Sequence, residues 1–242
     1  LFSMIDAEDP SSRPGSLDRS ADDHPYAILR SRDFLFYLIG RFIASLGQQM
    51  LTVAVGWELY ERTHSALALG FVGLTQIAPM ILLTLPAGHV ADNFNRKRII
   101  LGMTLCIALA SVGLTIISAF QAPVFWTYFC LFCGGAARTF LWPASAAFLP
   151  QLVPRRNFSR AVTWSTGGFH LSSVIGPAAG GGLIALTHSA AVVYGLNAAA
   201  ALVCFVLLSL VGNRRVTPAK EEMSLANLVA GFKFVFANKI IF

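Results

Sequence analysis

The sequence predicts an all-α integral membrane protein with six transmembrane helices, and three observations carry that fold class. Of the 242 residues, 55% are hydrophobic and only 12% are charged, a balance unlike that of soluble domains. The apolar residues gather in six runs, at about 34–60, 66–90, 98–120, 124–149, 161–187 and 190–212, each near the ~20 residues with which a helix crosses a bilayer. Between these runs Lys and Arg occur in short clusters that alternate with loops nearly free of them. The formal charge of +6 therefore fits a membrane partner and not nucleic acid, because the bases are not massed on one polar face.

Residues 1–30 are rich in Asp, Ser, Pro and Arg. They are too poor in apolar side chains to bury a core and are expected to form a disordered cytoplasmic tail. No removable signal peptide is expected, since no basic stretch leads into a short apolar core with a small-residue cleavage site. The transmembrane domain is placed at 31–212. Its anchor is the turn from Pro86 to Arg98, where an apolar run stops, crosses Asp92 and the cluster Arg96, Lys97 and Arg98, and becomes apolar again. Those cations cannot enter hydrocarbon, at roughly 2.5–3.5 kcal/mol each on insertion scales.

With the amino terminus inside, the cytoplasmic pieces hold Arg13, Arg19, Arg30 and Arg32, then the anchor cluster, then Arg155, Arg156 and Arg160, then Arg214, Arg215, Lys220, Lys233 and Lys239. Only Arg62 falls outside, and Arg41 and Arg138 lie within helices. Both termini are thus expected in the cytoplasm. Residues 213–242 read as a charged linker in which Leu225, Leu228, Phe232 and Val235 recur at helical spacing, as in an amphipathic helix on the inner membrane surface. The closing Ile240-Ile241-Phe242 resembles entry into a further apolar run, and a second half is expected beyond it.

Function is sought at polar residues inside the apolar runs, because such groups must face protein or water. In helix 1, Arg41, Ser45, Gln48 and Thr52 share one stripe. Either the stripe lines a cavity, or Arg41 snorkels to an interface about 10 Å away at ~1.5 Å rise per residue. In helix 4, Arg138 lies about ten residues from the helix end, with Cys130, Gly134 and Ala137 on its face. It reads as a cation for an anionic or polar substrate or for tuning a proton site, or else as half of a helix-joining ion pair, with Asp92 as partner. In helix 5, Thr166, His170, Ser173 and Pro177 share a stripe. Histidine is the side chain type that changes charge near neutral pH, which makes His170 a candidate proton carrier, with a plain hydrogen-bonded role as the alternative. Glu58 is the one acid in an apolar run, and reads as an interfacial acid beside Glu61 and Arg62 or as a proton site in an outer vestibule. Ser172, Gly176 and Gly180 repeat every four residues, with Pro177 and Gly181 between and beside them. They leave one face of helix 5 open to another backbone, for static packing or for relative tilting. Cys130 and Cys133 form a C-x-x-C inside an apolar run, where a thiol acts as a small hydrophobe. No disulfide, metal or cofactor is expected.

Gly88-x-x-x-Asp92-x-x-x-Arg96-Lys97-Arg98 is similar to the loop 2–3 signature of the major facilitator superfamily, and Ser172-x-x-x-Gly176-Pro177-x-x-Gly180-Gly181 is similar to that family's helix 5 signature associated with antiporters. Val55-Gly56-Trp57-Glu58-Leu59-Tyr60, Ala66-Leu67-Ala68-Leu69-Gly70 and Leu85-Pro86-Ala87-Gly88 resemble the bacterial branch that includes enterobactin exporters and macrolide efflux pumps. The resemblance covers about 30–242 and implies the amino-terminal half of a secondary transporter built from 3+3 inverted repeats. It further implies a bacterial inner-membrane location and proton-driven export of a small amphipathic compound by alternating access, rather than an enzyme activity. An importer or uniporter of the same fold, and a short non-transporting protein that binds a partner through helix 5, are the alternatives. Asn93 and Asn95 replace the family's usual basic residue and Gly. Asn tolerates the left-handed turn conformation, and a weaker charge network is expected in the gating loop.

Overall fold

The computed structural model describes residues 31–212. The tail expected at 1–30 and the amphipathic linker expected at 213–242 lie outside the described residues. Within them are six long helices: α1 (Arg32–Thr63), α2 (Ala66–Asn93), α3 (Arg96–Ala119), α4 (Val124–Leu152), α5 (Phe158–Thr187) and α6 (Ala190–Leu210), with a short 3-10 turn (Arg155–Asn157) before α5. All six are long and apolar enough to cross a membrane. A backbone in hydrocarbon must satisfy its own polar groups, so runs of this length and composition have helix as their solution.

The turns follow local chemistry. Thr-His-Ser-Ala occurs twice, at 63–66 and 187–190, and in both copies the His closes a helix in the left-handed conformation, φ 48° at His64 and 51° at His188. Each His N–H donates to the carbonyl four residues back, Tyr60 or Ile184, at 2.8 Å, so the last turn is capped before the Ser starts the next helix. The α2–α3 turn uses no left-handed residue. Asn93 ends α2, Phe94 is extended, and Asn95 sits at φ −63°, ψ 110° as the α3 N-cap, its side-chain oxygen accepting from the Arg98 N–H at 3.3 Å. The tolerance of Asn for positive φ is therefore unused. A cap oxygen serves the orphan N–H groups of the helix start instead.

α1 packs between α5 and α6, α4 packs between α2 and α3, and α3 packs on α6. Exchanging α1 with α4, α2 with α5 and α3 with α6 maps this pattern onto itself, as two inverted three-helix repeats require. Two apolar clusters fill the ends of the bundle. One, toward the basic turns, holds Phe34, Tyr37, Ile100, Phe148 and Leu208; the other, toward the Thr-His-Ser-Ala turns, holds Leu51, Leu59, Leu131, Val193 and Tyr194. Polar side chains occupy the layer between. There Asn197 of α6 donates to the Ser111 hydroxyl of α3 at 2.7 Å, fully buried, a bond that fixes the α3–α6 register.

The small-residue face of α5 is spent inside the bundle. Ser172, Gly176 and Gly180 are all buried. A Cβ at Gly180 would lie 3.0 Å from the Met50 Cα and carbonyl oxygen, and one at Gly176 would meet the Gln49 Cβ and lie 3.2 Å from the Leu46 carbonyl oxygen. The Ser172 hydroxyl donates to the Gly168 carbonyl at 2.9 Å and reaches the Phe42 carbonyl of α1 at 3.4 Å. This corrects the alternative in which that face binds a separate partner: α1 already covers it. A Cβ at Gly181 would meet nothing within 4 Å.

Candidate functional site

The candidate site forms where α1, α2 and α4 converge on Arg138. Its Nη1 donates to the Gln76 amide oxygen of α2 at 3.3 Å. With the Gln48 amide turned so that its oxygen faces the guanidinium, that oxygen accepts from Nη1 and Nη2 at 3.2 and 3.1 Å. The Nε–H is buried and has no partner among the described residues. Gly134, one turn earlier, leaves space at Nη2, since a Cβ there would still lie 3.8 Å away. The suggested pair with Asp92 does not form: Arg138 is held by two neutral amides, and Asp92 is exposed at the end of α2.

Three spaces adjoin this guanidinium, the smallest of them about 10 Å³ between Gln48, Ile107, Cys130 and Gly134. A cavity of about 120 Å³ is lined by Arg41, Ser45 and Gln48 of α1 together with Thr104, Arg138, Trp142, Phe169 and Asn197. A larger groove of about 710 Å³ runs between α2 and α4, from Gln76 and Arg138 past Ile77, Met80, Thr139 and Trp142 to Thr84 and Gly88 at the basic turn. Its size falls within the range of drug-sized ligand pockets. Close approach of α2 and α4 sets its upper edge, where a Cβ on Gly135 would lie 3.1 Å from the Gln76 carbonyl oxygen and from Pro79 Cγ. Arg41 also lines a side pocket of about 110 Å³ with Tyr37, Ser45 and Ser165.

Arg41, Ser45, Gln48 and Arg138 thus meet around one cavity. Thr52 does not join them. It is exposed and donates to the Gln48 carbonyl at 3.1 Å. His170 is exposed as well, with its ring 5.9 Å from that of Phe169, and it lines neither the cavity nor the groove. Gln76, Thr104, Trp142 and Asn197 were not singled out from the sequence. The available signal was polarity, for Gln76 and Asn197 are lone amides in otherwise apolar runs.

The basic turn is held by carbonyls. Arg96 donates to Ala91 through Nε and to Ala147 of α4 through Nη1, each at 3.4 Å. Lys97 donates to Ser209 at 2.9 Å and also to Val211, at the carboxyl end of α6, where a cation meets the negative end of the helix dipole. Asp33 accepts from the Gly212 N–H at 3.1 Å beside it. Asn93 donates to the His89 carbonyl at 3.1 Å and lies 3.0 Å from the His89 ring. At the opposite end Glu58 is buried, only 5% exposed. It pairs with Arg62 at 3.4 Å, while Arg62 also donates to Gln121 at 3.3 Å and to Ala122 in the α3–α4 turn.

The family model described as "Transmembrane secretion effector" matches residues 23–241. Macrolide efflux protein A of Streptococcus pyogenes is 30% identical over 170 residues, which is 69% of this chain and 40% of that protein. Enterobactin exporter EntS of Shigella boydii is 28% identical over 209 residues, 86% of this chain and 50% of that protein, and EntS of Escherichia coli O1:K1 / APEC matches to the same extent. The chain therefore spans about half the length of the curated relatives it matches. These relatives and the family are transporters rather than enzymes. Six apolar helices and this kinship make the chain a multi-pass bacterial inner-membrane protein, and it belongs to the transmembrane secretion effector family of the major facilitator superfamily.

Proposed function

We propose that this chain forms the six-helix half of a secondary transporter that exports a small amphipathic compound, of the drug or siderophore class, by alternating access coupled to protons. The observation that carries the reading is the half-buried Arg138, held by Gln48 and Gln76 at the head of an open groove of about 710 Å³. An intramembrane cation is costly to bury, which supports reading Arg138 as part of a substrate or ion path. Both termini face the cytoplasm in this reading, supported by the uneven distribution of Lys and Arg, and a second six-helix half is the partner across the open face. The Gly88–Arg98 turn and the Gly176 and Gly180 contact on α1 act as hinge and packing surfaces, and His170 is offered as a proton carrier facing that second half.

The test uses the full-length gene product in proteoliposomes or cells. Efflux of siderophores, macrolides and lipophilic cations is measured with and without an imposed proton gradient. Gradient-dependent outward movement of at least one class is expected. Equilibration that ignores the gradient would favour a uniporter, and uptake driven by the gradient would favour an importer.

A further inference from the structure

We infer that the groove selects its substrate by charge: it takes an amphipathic anion whose oxyanion, a carboxylate or a group of like geometry, docks on Arg138 while an apolar body lies along α2 and α4 toward Trp142. This rests on the transporter reading and adds the chemical class of the cargo.

Two cations face the cavity of about 120 Å³. Arg41 and Arg138 both line it, and its other polar neighbours, Ser45, Gln48, Thr104 and Asn197, are neutral. The described carboxylates lie elsewhere: Asp33 on the Gly212 N–H, Glu58 on Arg62, Glu61 beside it in the last turn of α1 and Asp92 exposed at the end of α2. The lining among the described residues thus carries positive charge with no anion. Within that lining Arg138 is incompletely used. Gln48 occupies the edge between Nη1 and Nη2, and Gln76 takes a further Nη1 hydrogen. The Nε–H has no partner, and it lies on the same side of the planar guanidinium as the outward Nη2–H. Those two parallel donors have the fork geometry that a carboxylate accepts bidentately, once an arriving anion has displaced the side chains that enclose the Nε–H. Amides bind a guanidinium less strongly than an oxyanion does, so an arriving anion gains a charge-assisted pair and satisfies a buried donor together. Beyond Arg138 the groove wall is Ile77, Met80, Trp142 and Pro143, with Trp142 70% exposed, a surface for an aromatic or aliphatic body.

The test uses the full-length protein and three probes with one aromatic body: pyrenebutyrate, its methyl ester and pyrenebutylamine. Binding is read in detergent by energy transfer from tryptophan to pyrene, and transport is read in proteoliposomes. Pyrenebutyrate is expected to bind at least tenfold more tightly than the ester and the amine. Arg138→Gln removes the preference, and Arg138→Lys, which keeps the charge but not the fork, restores only part of it. Trp142→Leu supports the placement if it weakens all three probes alike. Equal binding of the three, preference for the amine, no binding of pyrenebutyrate, or an unchanged preference in Arg138→Gln overturns the inference. If the anion binds selectively but no probe is transported, the transporter reading fails and the charge selection stands. If all three are transported at equal rates and bind equally, the transporter reading stands and the charge selection fails.

Discussion

Substituting the glycines of α5 one at a time gives the sharpest reading of how the helices are held, because the structure ranks the outcomes in advance. An alanine at 176 places its methyl carbon against the Gln49 Cβ and 3.2 Å from the Leu46 carbonyl oxygen; one at 180 comes to 3.0 Å of the Met50 backbone; one at 181 meets nothing within 4 Å. Backbone atoms cannot rotate away, so α1 and α5 must separate by several tenths of an ångström and give up contacts along the seam. Overpacking of this kind costs about 1–3 kcal/mol. We expect Gly176→Ala near 3 kcal/mol, Gly180→Ala near 2, and Gly181→Ala near zero. Reversible unfolding of the full-length protein in mixed micelles of mild detergent and SDS measures the series, and at ~1.4 kcal/mol per factor of ten the first substitution lowers the folding constant about a hundredfold. Gly176→Leu should also abolish transport. If 176, 180 and 181 tolerate alanine equally, α5 does not lie on α1 at these residues.

Arg62→Ala leaves Glu58 buried without its cation; loss of one partner of a buried pair is worth about 3 kcal/mol here, the low end of the usual range because the Arg62 side chain keeps 16% exposure. Glu58→Gln added to it should recover part of that stability in the same unfolding assay, and additive losses would show that the two residues act separately. Lys97→Ala removes two donors from the end of α6 and should cost about 1 kcal/mol, with faster amide exchange at 208–212 as the local sign; unchanged exchange would mean that the α6 end holds itself. For orientation, a cysteine at Ser65 or Ser189 should react with a membrane-impermeant maleimide on intact cells, whereas one at Phe94, 60% exposed, should react only after permeabilisation. The reverse pattern would invert the proposed topology.

The helices were legible because a bilayer leaves a long apolar run one solution, and the α5 small-residue face was legible because its four-residue period survives folding intact. Its partner was not: nothing in 172–181 names α1, and only the crossing geometry does. The same limit applies to the site. Arg41, Ser45 and Gln48 share a stripe and share a cavity, but Thr52 lies about 6 Å further along the helix at ~1.5 Å per residue and passes beyond it. His170 stands two residues before Ser172, roughly 160° around α5 from the face on α1 at 3.6 residues per turn, so a common helix did not make it a neighbour of Arg138. Gln76 escaped notice because an uncharged amide in an apolar run carries a weak signal alone, and its meaning comes from the guanidinium brought opposite it by α4. Asn93 and Asn95 also take local roles that a comparison of residue types does not show: Asn95 caps α3, and Asn93 bonds back to the His89 carbonyl within the last turns of α2.

Efflux by the full-length protein carrying Arg138→Ala, compared with wild type at matched membrane abundance, tests the central claim most directly. Efflux should fall to background while the protein inserts and remains folded; efflux at the wild-type rate would remove Arg138 from the substrate path.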